Sequence, residues 1–261
     1  MFEMRSVPIF GSALVLCALS LALVPASAAD DEAAAPARLA PPSSDLKDFA
    51  GYYRPDYLKP LVKSAVGTSG PIQTVDHQMP PFTPKASAEF NYRLSKEQAG
   101  MPVMDTTPQA GLPSACLVGF LSPVLVIANR QQMFFIFESG AAPIWRIHLD
   151  RDHPKKLAPS TNGDSVGHWE GNTLVVDTRG FNTSGHLDLV GTPFSRDLHT
   201  VTRISKINGG HQLEFLITVN DPENFTQPFT TRYTAAWRPD ERLMENEIDA
   251  PPPGAPPGDP P

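Results

Sequence analysis

The chain has 261 residues, of which 28 are acidic and 21 are Lys or Arg, so its formal net charge at pH 7 is −7. An acidic chain without a basic run lacks the charge pattern that binds nucleic acid or an anionic membrane surface. Of its two cysteines, Cys17 and Cys116, the first lies in a segment that we expect to be removed. An intramolecular disulfide is then excluded, and stability has to come from burial of apolar surface.

Residues 1–28 have the features of a secretory signal peptide. Arg5 supplies a positive charge, residues 13–24 form an apolar run, and Ala26-Ser27-Ala28 provides a small-residue cleavage site. The apolar run is shorter than the roughly 20 residues that a membrane-spanning helix needs. We therefore predict cleavage after Ala28, no membrane anchor afterwards, and a periplasmic or secreted protein.

Composition divides the rest of the chain into one domain and two flanks. Residues 29–45 are rich in Ala, Pro and acidic side chains, and residues 250–261 are nearly all Pro and Gly, which predicts a disordered linker and a disordered tail. The domain, residues 46–249, begins with a Pro-rich stretch, 46–116, that we expect to wrap it irregularly. One short helix is predicted near residues 84–99, where Pro begins the segment and charged side chains recur every four residues.

Residues 117–249 have the pattern of an antiparallel β-meander. Short apolar or β-branched runs recur there, each ending at Gly, Asn, Asp or Pro, and Gly171-Asn172 and Asn208-Gly209-Gly210 predict tight hairpin turns. Alternation places one set of side chains on a continuous apolar face, namely Leu213, Phe215, Ile217 and Val219. We predict a mostly all-β fold and favour a barrel of about eight to ten strands over a two-sheet sandwich, an alternative that periodicity alone leaves open.

The segment GDSVGHWEGNTLVVDT, residues 163–178, resembles the signature of an uncharacterised family of exported bacterial proteins. The resemblance extends over most of the domain, through RIHLDRDHP (146–154), GFN (180–182), GTPFSRDLHTVTRI (191–204) and TVNDPENFTQPF (218–229). The resemblance implies a calycin-like barrel, similar in layout to lipocalins, and no particular reaction. The chain departs from the family pattern at Asn172, where the family has an acid, and at Thr202, which replaces an acid before Arg203.

Asp177 is the first candidate for a functional acid, because it follows a run of apolar or β-branched residues. We expect it to point into the barrel, where burial raises the pKa of a carboxyl group and a nearby Arg or His keeps it charged. His199 and Arg203, on one face of a later strand, are the expected partners, and His153 is a further candidate for acid/base catalysis. The alternative is an ion pair of Asp177, Arg179 and Arg203 at the barrel rim.

His153 belongs to a polar segment, RIHLDRDH, residues 146–153. His148 and Asp150 alternate along it and have the chemistry of a base with its orienting acid, or of two metal ligands. Asp150-Arg151-Asp152 followed by Pro154 is typical of a surface turn, which is the favoured interpretation. No metal site is predicted.

Five side chains are predicted to contact a ligand: Trp169, Arg146, Arg203, Tyr233 and Trp237. Trp169 is expected to pack across the closed end of the barrel, with Arg146 or Arg203 stacked on its indole. Phe229, Tyr233 and Trp237 share one side of the last strand, where they either fill the core or line a pocket.

The sequence favours an exported barrel protein that binds a small apolar or aromatic molecule in its interior. One alternative is an acid/base enzyme without a cofactor, such as an isomerase, hydratase, lyase or cyclase, that uses the same cavity. The other is a structural or interaction protein with a filled barrel. No cofactor and no nucleic-acid partner are predicted, and the oligomeric state is left open.

Overall fold

Nine β-strands and one α-helix form the regular structure of the described residues in the computed structural model. In chain order they are β1 (Gly51–Pro55), α1 (Pro84–Gln98), β2 (Val124–Ala128), β3 (Gln132–Phe137), β4 (Ile144–His148), β5 (Asp164–Glu170), β6 (Thr173–Arg179), β7 (His199–Ile207), β8 (Gln212–Asn220) and β9 (Phe229–Trp237). The structure describes residues 43–45, 47–56, 72–101, 122–138, 144–182, 185–188 and 190–243, all within one compact unit, Arg38–Pro261. The predicted signal peptide, most of the linker, the tail and Cys116 lie outside the described residues.

The strands follow one another around a closed barrel, and β9 pairs with β1. Every neighbouring pair is antiparallel except β4 and β5, which run parallel through Ile147 opposite Ser165 and His148 opposite Val166. The connection of residues 149–163 therefore returns along the barrel before β5 begins. The predicted all-β barrel is confirmed, but its sheet is mixed, because a long connection carries no local turn signal that sets strand direction.

The first strand lies earlier in the chain than the expected meander. Gly51–Pro55 belongs to the Pro-rich stretch predicted to be irregular, yet it pairs with both β2 and β9 and closes the barrel. A short run ending in Pro has a weak strand signal, because Pro lacks a backbone donor. This segment becomes a strand because it pairs with the edges of β2 and β9 that the other strands leave unpaired.

The barrel interior is filled by the inward side chains of its own strands. On β8 the predicted apolar face, Leu213, Phe215, Ile217 and Val219, is completely buried. The largest fully buried side chain is Trp145 of β4, whose Nε1 donates to Oγ of Ser165 over 2.8 Å. The interior visible in the described strands is therefore a packed core.

Both ends of the barrel are covered by other parts of the chain. At the end where β5 finishes, buried Phe49 packs its ring against Trp169, with centroids 5.3 Å apart. At the opposite end, Phe82 bridges to Phe225 and stacks on Phe90 of α1. The predicted helix is confirmed as Pro84–Gln98, with Thr83 as its N-cap. No helix in the described segments is both long and apolar enough to span a membrane.

Candidate functional site

The three side chains predicted to be catalytic lie together on the barrel. Nε2 of His153 is 2.8 Å from Oδ1 of Asp177, and Nε2 of His199 is 2.7 Å from Oδ2 of the same carboxylate. Arg179, also on β6, donates from Nε to Oδ1 of Asp177 over 2.9 Å. Asp177 is thus the common acceptor of three basic side chains that come from three separate segments.

His153 bridges two carboxylates. Its Nδ1 lies 2.6 Å from Oδ1 of Asp164, while its Nε2 faces Asp177. An ionised carboxylate only accepts hydrogen bonds, so a ring nitrogen of His153 that carries a proton donates to the carboxylate it faces. Arg151 completes the set by donating from Nη2 to Oδ2 of Asp164 over 2.5 Å. We call these residues the carboxylate network: Arg151, His153, Asp164, Asp177, Arg179 and His199.

The surroundings of the two aspartates keep them ionised. Partial burial opposes ionisation of Asp177, but the hydrogen bonds from His199 and Arg179 outweigh it and lower the pKa of its carboxyl group. Burial likewise opposes ionisation of Asp164, and the hydrogen bonds from Arg151 and His153 again lower its pKa. A carboxylate with a lowered pKa is a weak base, so the network stabilises charge more readily than it removes a proton.

The network lies on the outer face of the barrel, which corrects the expectation that Asp177 points inward. Leu174, Val176 and Thr178 of β6 are the buried, inward side chains, so Asp177 between them faces outward. Val175 on the outer face is also nearly buried, at 6% exposure. Apolar side chains on both faces of β6 made the direction ambiguous in the sequence.

The expected partner Arg203 lies elsewhere on the outer face. Register places Arg203 opposite Val175, whereas Val201 is opposite Asp177. Its Nη2 donates to Oε2 of Glu170 over 2.8 Å. The predicted rim ion pair is therefore formed by Asp177 and Arg179, without Arg203.

The five predicted ligand contacts do not converge on one place. Trp169 packs on Phe49, and the ammonium group over its ring belongs to Lys47, 5.6 Å from the centroid, rather than to Arg146 or Arg203. Tyr233 is buried in the core, where desolvation raises the pKa of its hydroxyl. Arg146 lies on the outer face of β4, opposite Phe134 of β3.

Trp237, the fifth, borders a cleft of about 560 Å³ near the end of β9. We call it the Trp237 cleft; its lining includes Gly51, Tyr52, Leu125, Trp237, Glu241 and Leu243. Gly51 is essential to its shape, since a Cβ on this residue would lie 1.6 Å from Cζ3 of Trp237. The indole therefore lies directly across the backbone of β1, with its other side against the ring of Tyr53 at 5.3 Å.

A few polar groups border the apolar wall of the Trp237 cleft. The Tyr52 hydroxyl donates to Oε1 of Glu138 over 2.6 Å, and burial followed by this hydrogen bond raises its pKa. Glu241 is paired with Arg54. Asp48 and the exposed Arg242 also border the cleft. The cleft thus combines aromatic and aliphatic surface with a charged margin.

Sequence reasoning missed several members of both sites. Arg151 was interpreted as part of a surface turn and was not connected with Asp164, although an acid at the start of a strand and a basic residue in the preceding connection have the charges of an ion pair. Leu125, Glu241 and Leu243 carry no local signal, because they come from distant segments that only barrel closure brings together.

The fold and these two sites define a closed β-barrel protein with a charged network on its outer face and an apolar cleft near the end of β9. No family model, no curated protein and no solved structure matches the chain. Among the described residues, no three His, Cys, Asp or Glu side chains are arranged to bind a metal ion.

Proposed function

We propose that this protein binds a small, largely apolar or aromatic molecule in the Trp237 cleft. The observation that carries the proposal is the cleft itself, which has a volume of about 560 Å³ and is lined by residues that include Tyr52, Trp237, Leu125 and Leu243. Pockets for small ligands typically measure roughly 300–1,000 Å³ and combine apolar walls with a few polar groups.

The cleft is a better site than the centre of the barrel, where the sequence placed the guest. Inward side chains such as Trp145, Phe135 and Phe215 are completely buried against one another. A guest among them would have to displace packed aromatic rings, at a cost of several kcal/mol. A guest in the Trp237 cleft covers surface that is already open to solvent.

Burial of apolar area supplies the affinity in this proposal. A guest the size of a fused aromatic ring removes its own surface and that of Trp237 and Leu125 from water, which contributes about 25 cal/mol per Å² before the costs of association. The charged margin of Asp48, Glu241 and Arg242 stays in water and orients any polar group of the guest. Together with the predicted export signal, this describes a periplasmic or secreted binding protein.

The test is binding of 2-naphthol, followed by ligand-observed NMR, to the protein and to two matched variants. Leu125→Glu places a charge in the cleft, whereas Ile127→Glu places the same charge on the exposed outer face of the same strand, outside the cleft lining. We expect Leu125→Glu to weaken binding at least about tenfold and Ile127→Glu to leave it within about twofold. Equal effects of the two changes, or no binding at all, would favour a structural or interaction protein.

Acid/base catalysis is a second candidate, favoured by the assembly of Asp177, His153 and His199. Asp177 orients His199 through Nε2, which leaves Nδ1 of His199 as the ring nitrogen for proton transfer. Nitrogen-15 NMR of the imidazole over pH 5–8 tests this: a base retains the proton on Nε2 while Nδ1 titrates. A His199 ring that stays protonated on both nitrogens throughout would exclude the role.

A further inference from the structure

The parallel pairing of β4 and β5 leaves an opening on the outside of the barrel. The two strands share only two register pairs, Ile147 with Ser165 and His148 with Val166, so the first half of β4 extends beyond β5. Residues 160–163 form the opposite wall, and the space between is a cleft of about 520 Å³. We call it the β4–β5 cleft; it is separate from the Trp237 cleft, with which it shares no lining residue.

One wall of the β4–β5 cleft is apolar. Phe134 of β3 lines it together with Ile144 of β4, whose side chain is 51% exposed although it is a large aliphatic group. The opposite wall is held in place by Asn162, whose Nδ2 donates to the backbone oxygen of Ile144 over 2.9 Å. The hydrogen bond spans the gap between the walls and fixes the width of the cleft.

The guanidinium group of Arg146 lies next to the apolar wall of the cleft. Arg146 is directly opposite Phe134 in the β3–β4 register and lines the cleft. Arg151 and Arg179, by contrast, are paired with Asp164 and Asp177. Within the described part of the chain, Arg146 has no carboxylate in ion-pair distance, so its planar guanidinium is free to bind a carboxylate through two parallel hydrogen bonds.

The one carboxylate in the lining does not oppose an anion. Asp164 borders the cleft, but Nη2 of Arg151 donates to its Oδ2 and the ring of His153 lies 2.6 Å from its Oδ1. The guanidinium of Arg151 offsets the charge of Asp164 in this ion pair. His148, the next outward residue after Arg146, has its pKa lowered by burial and by Arg151 and Arg146, so at neutral pH it adds a neutral hydrogen-bonding group.

We propose that the β4–β5 cleft is a second binding site, specific for small carboxylates that carry an aromatic or branched apolar group. Arg146 binds the carboxylate, Phe134 and Ile144 cover the apolar group, and Asn162 holds the far wall. The site depends on the joint presence of the unpaired guanidinium and the exposed apolar wall. It is independent of the Trp237 cleft, whose guest needs no charge.

The experiment compares benzoate with benzamide, which has nearly the same shape and no charge, by ligand-observed NMR at pH 7. We expect benzoate to bind at least about tenfold more tightly than benzamide, because only benzoate can form a charge-assisted bidentate contact with Arg146. Arg146→Gln should abolish that preference. The control Arg232→Gln removes the same charge from an outward arginine on β9 that pairs with Glu214, and should leave the preference intact.

Two outcomes would overturn the proposal: equal affinities for benzoate and benzamide in the unmodified protein, or a preference for benzoate that persists in Arg146→Gln. Far-ultraviolet circular dichroism and thermal melting show whether the two arginine variants are folded. We expect both to fold, because substitutions at exposed positions usually change stability little. Leu125→Glu distinguishes this second site from the proposed function of the Trp237 cleft. The substitution should weaken 2-naphthol binding and leave benzoate binding unchanged.

Discussion

Nε2 of His153 lies 2.8 Å from Oδ1 of Asp177, although 24 positions separate the two residues in the chain. The contact fastens the β4–β5 connection to the middle of β6. Since Nδ1 of the same ring is 2.6 Å from Asp164 at the start of β5, one side chain joins three segments. The network therefore gives a long connection, with no regular structure of its own, a fixed position against the barrel.

His153→Gln should lower the free energy of unfolding by about 1–3 kcal/mol, because two half-buried carboxylates lose a shared donor. Urea denaturation followed by tryptophan fluorescence measures the change. His168→Gln is the control: His168 is exposed and makes one long contact of 3.3 Å to Glu170, so its replacement should stay within about 0.5 kcal/mol. Equal losses in the two variants would contradict a special role for His153.

Acid should weaken the fold partly through Asp177 and Asp164. Both carboxyl groups have lowered pKa values in the folded state, so their stabilisation is complete above the ordinary aspartate pKa of about 3.9 and is lost as pH falls through the folded values. The deficit of Asp177→Asn relative to the unmodified protein should thus be largest near pH 7 and shrink toward pH 3. Urea denaturation at a series of pH values measures it, and a constant deficit would contradict the assignment.

Gly51→Ala should displace the Trp237 ring and reduce stability by about 1–3 kcal/mol, because its Cβ would lie 1.6 Å from the indole at a backbone φ of +141°. A shift in tryptophan emission and loss of 2-naphthol binding should accompany the change. Gly171→Ala isolates the backbone contribution, since Gly171 also has a positive φ, +59°, but no atom lies within 4 Å of its added Cβ. Its emission spectrum should not change.

Removal of two buried hydroxyl groups should have different effects on stability. Ser165 Oγ accepts from Trp145 over 2.8 Å and lies 2.8 Å from Oγ1 of Thr178, so Ser165→Ala should cost about 1–3 kcal/mol. Thr202 Oγ1 is buried, and no partner for it lies in the described part of the chain. Thr202→Val, which preserves shape, should be neutral or stabilising. Thermal melting of both variants measures the difference, and a large loss in Thr202→Val would reveal a hidden hydrogen bond.

Local signals predicted the strands and their turns well. Gly171-Asn172 joins β5 to β6 and Asn208-Gly209-Gly210 joins β7 to β8, because turn residues act within a few positions. The same signals failed for β1, whose partners β2 and β9 are distant in the chain, and for the parallel β4–β5 pair. Asp177, His199 and His153 were expected together and are together, whereas Arg203 lies two register pairs away from Asp177, beside Glu170.

The amino-acid sequence by itself determined the mostly β fold and its succession of strands and turns, because alternation and turn chemistry are properties of a single strand and its ends. It also determined which residues share a face of β6 and of β7. Only the tertiary structure decided which of those faces is inside, since β6 carries apolar side chains on both. It alone formed the two clefts and the carboxylate network, because each joins segments whose separation is fixed by register and closure, which are collective properties of all nine strands.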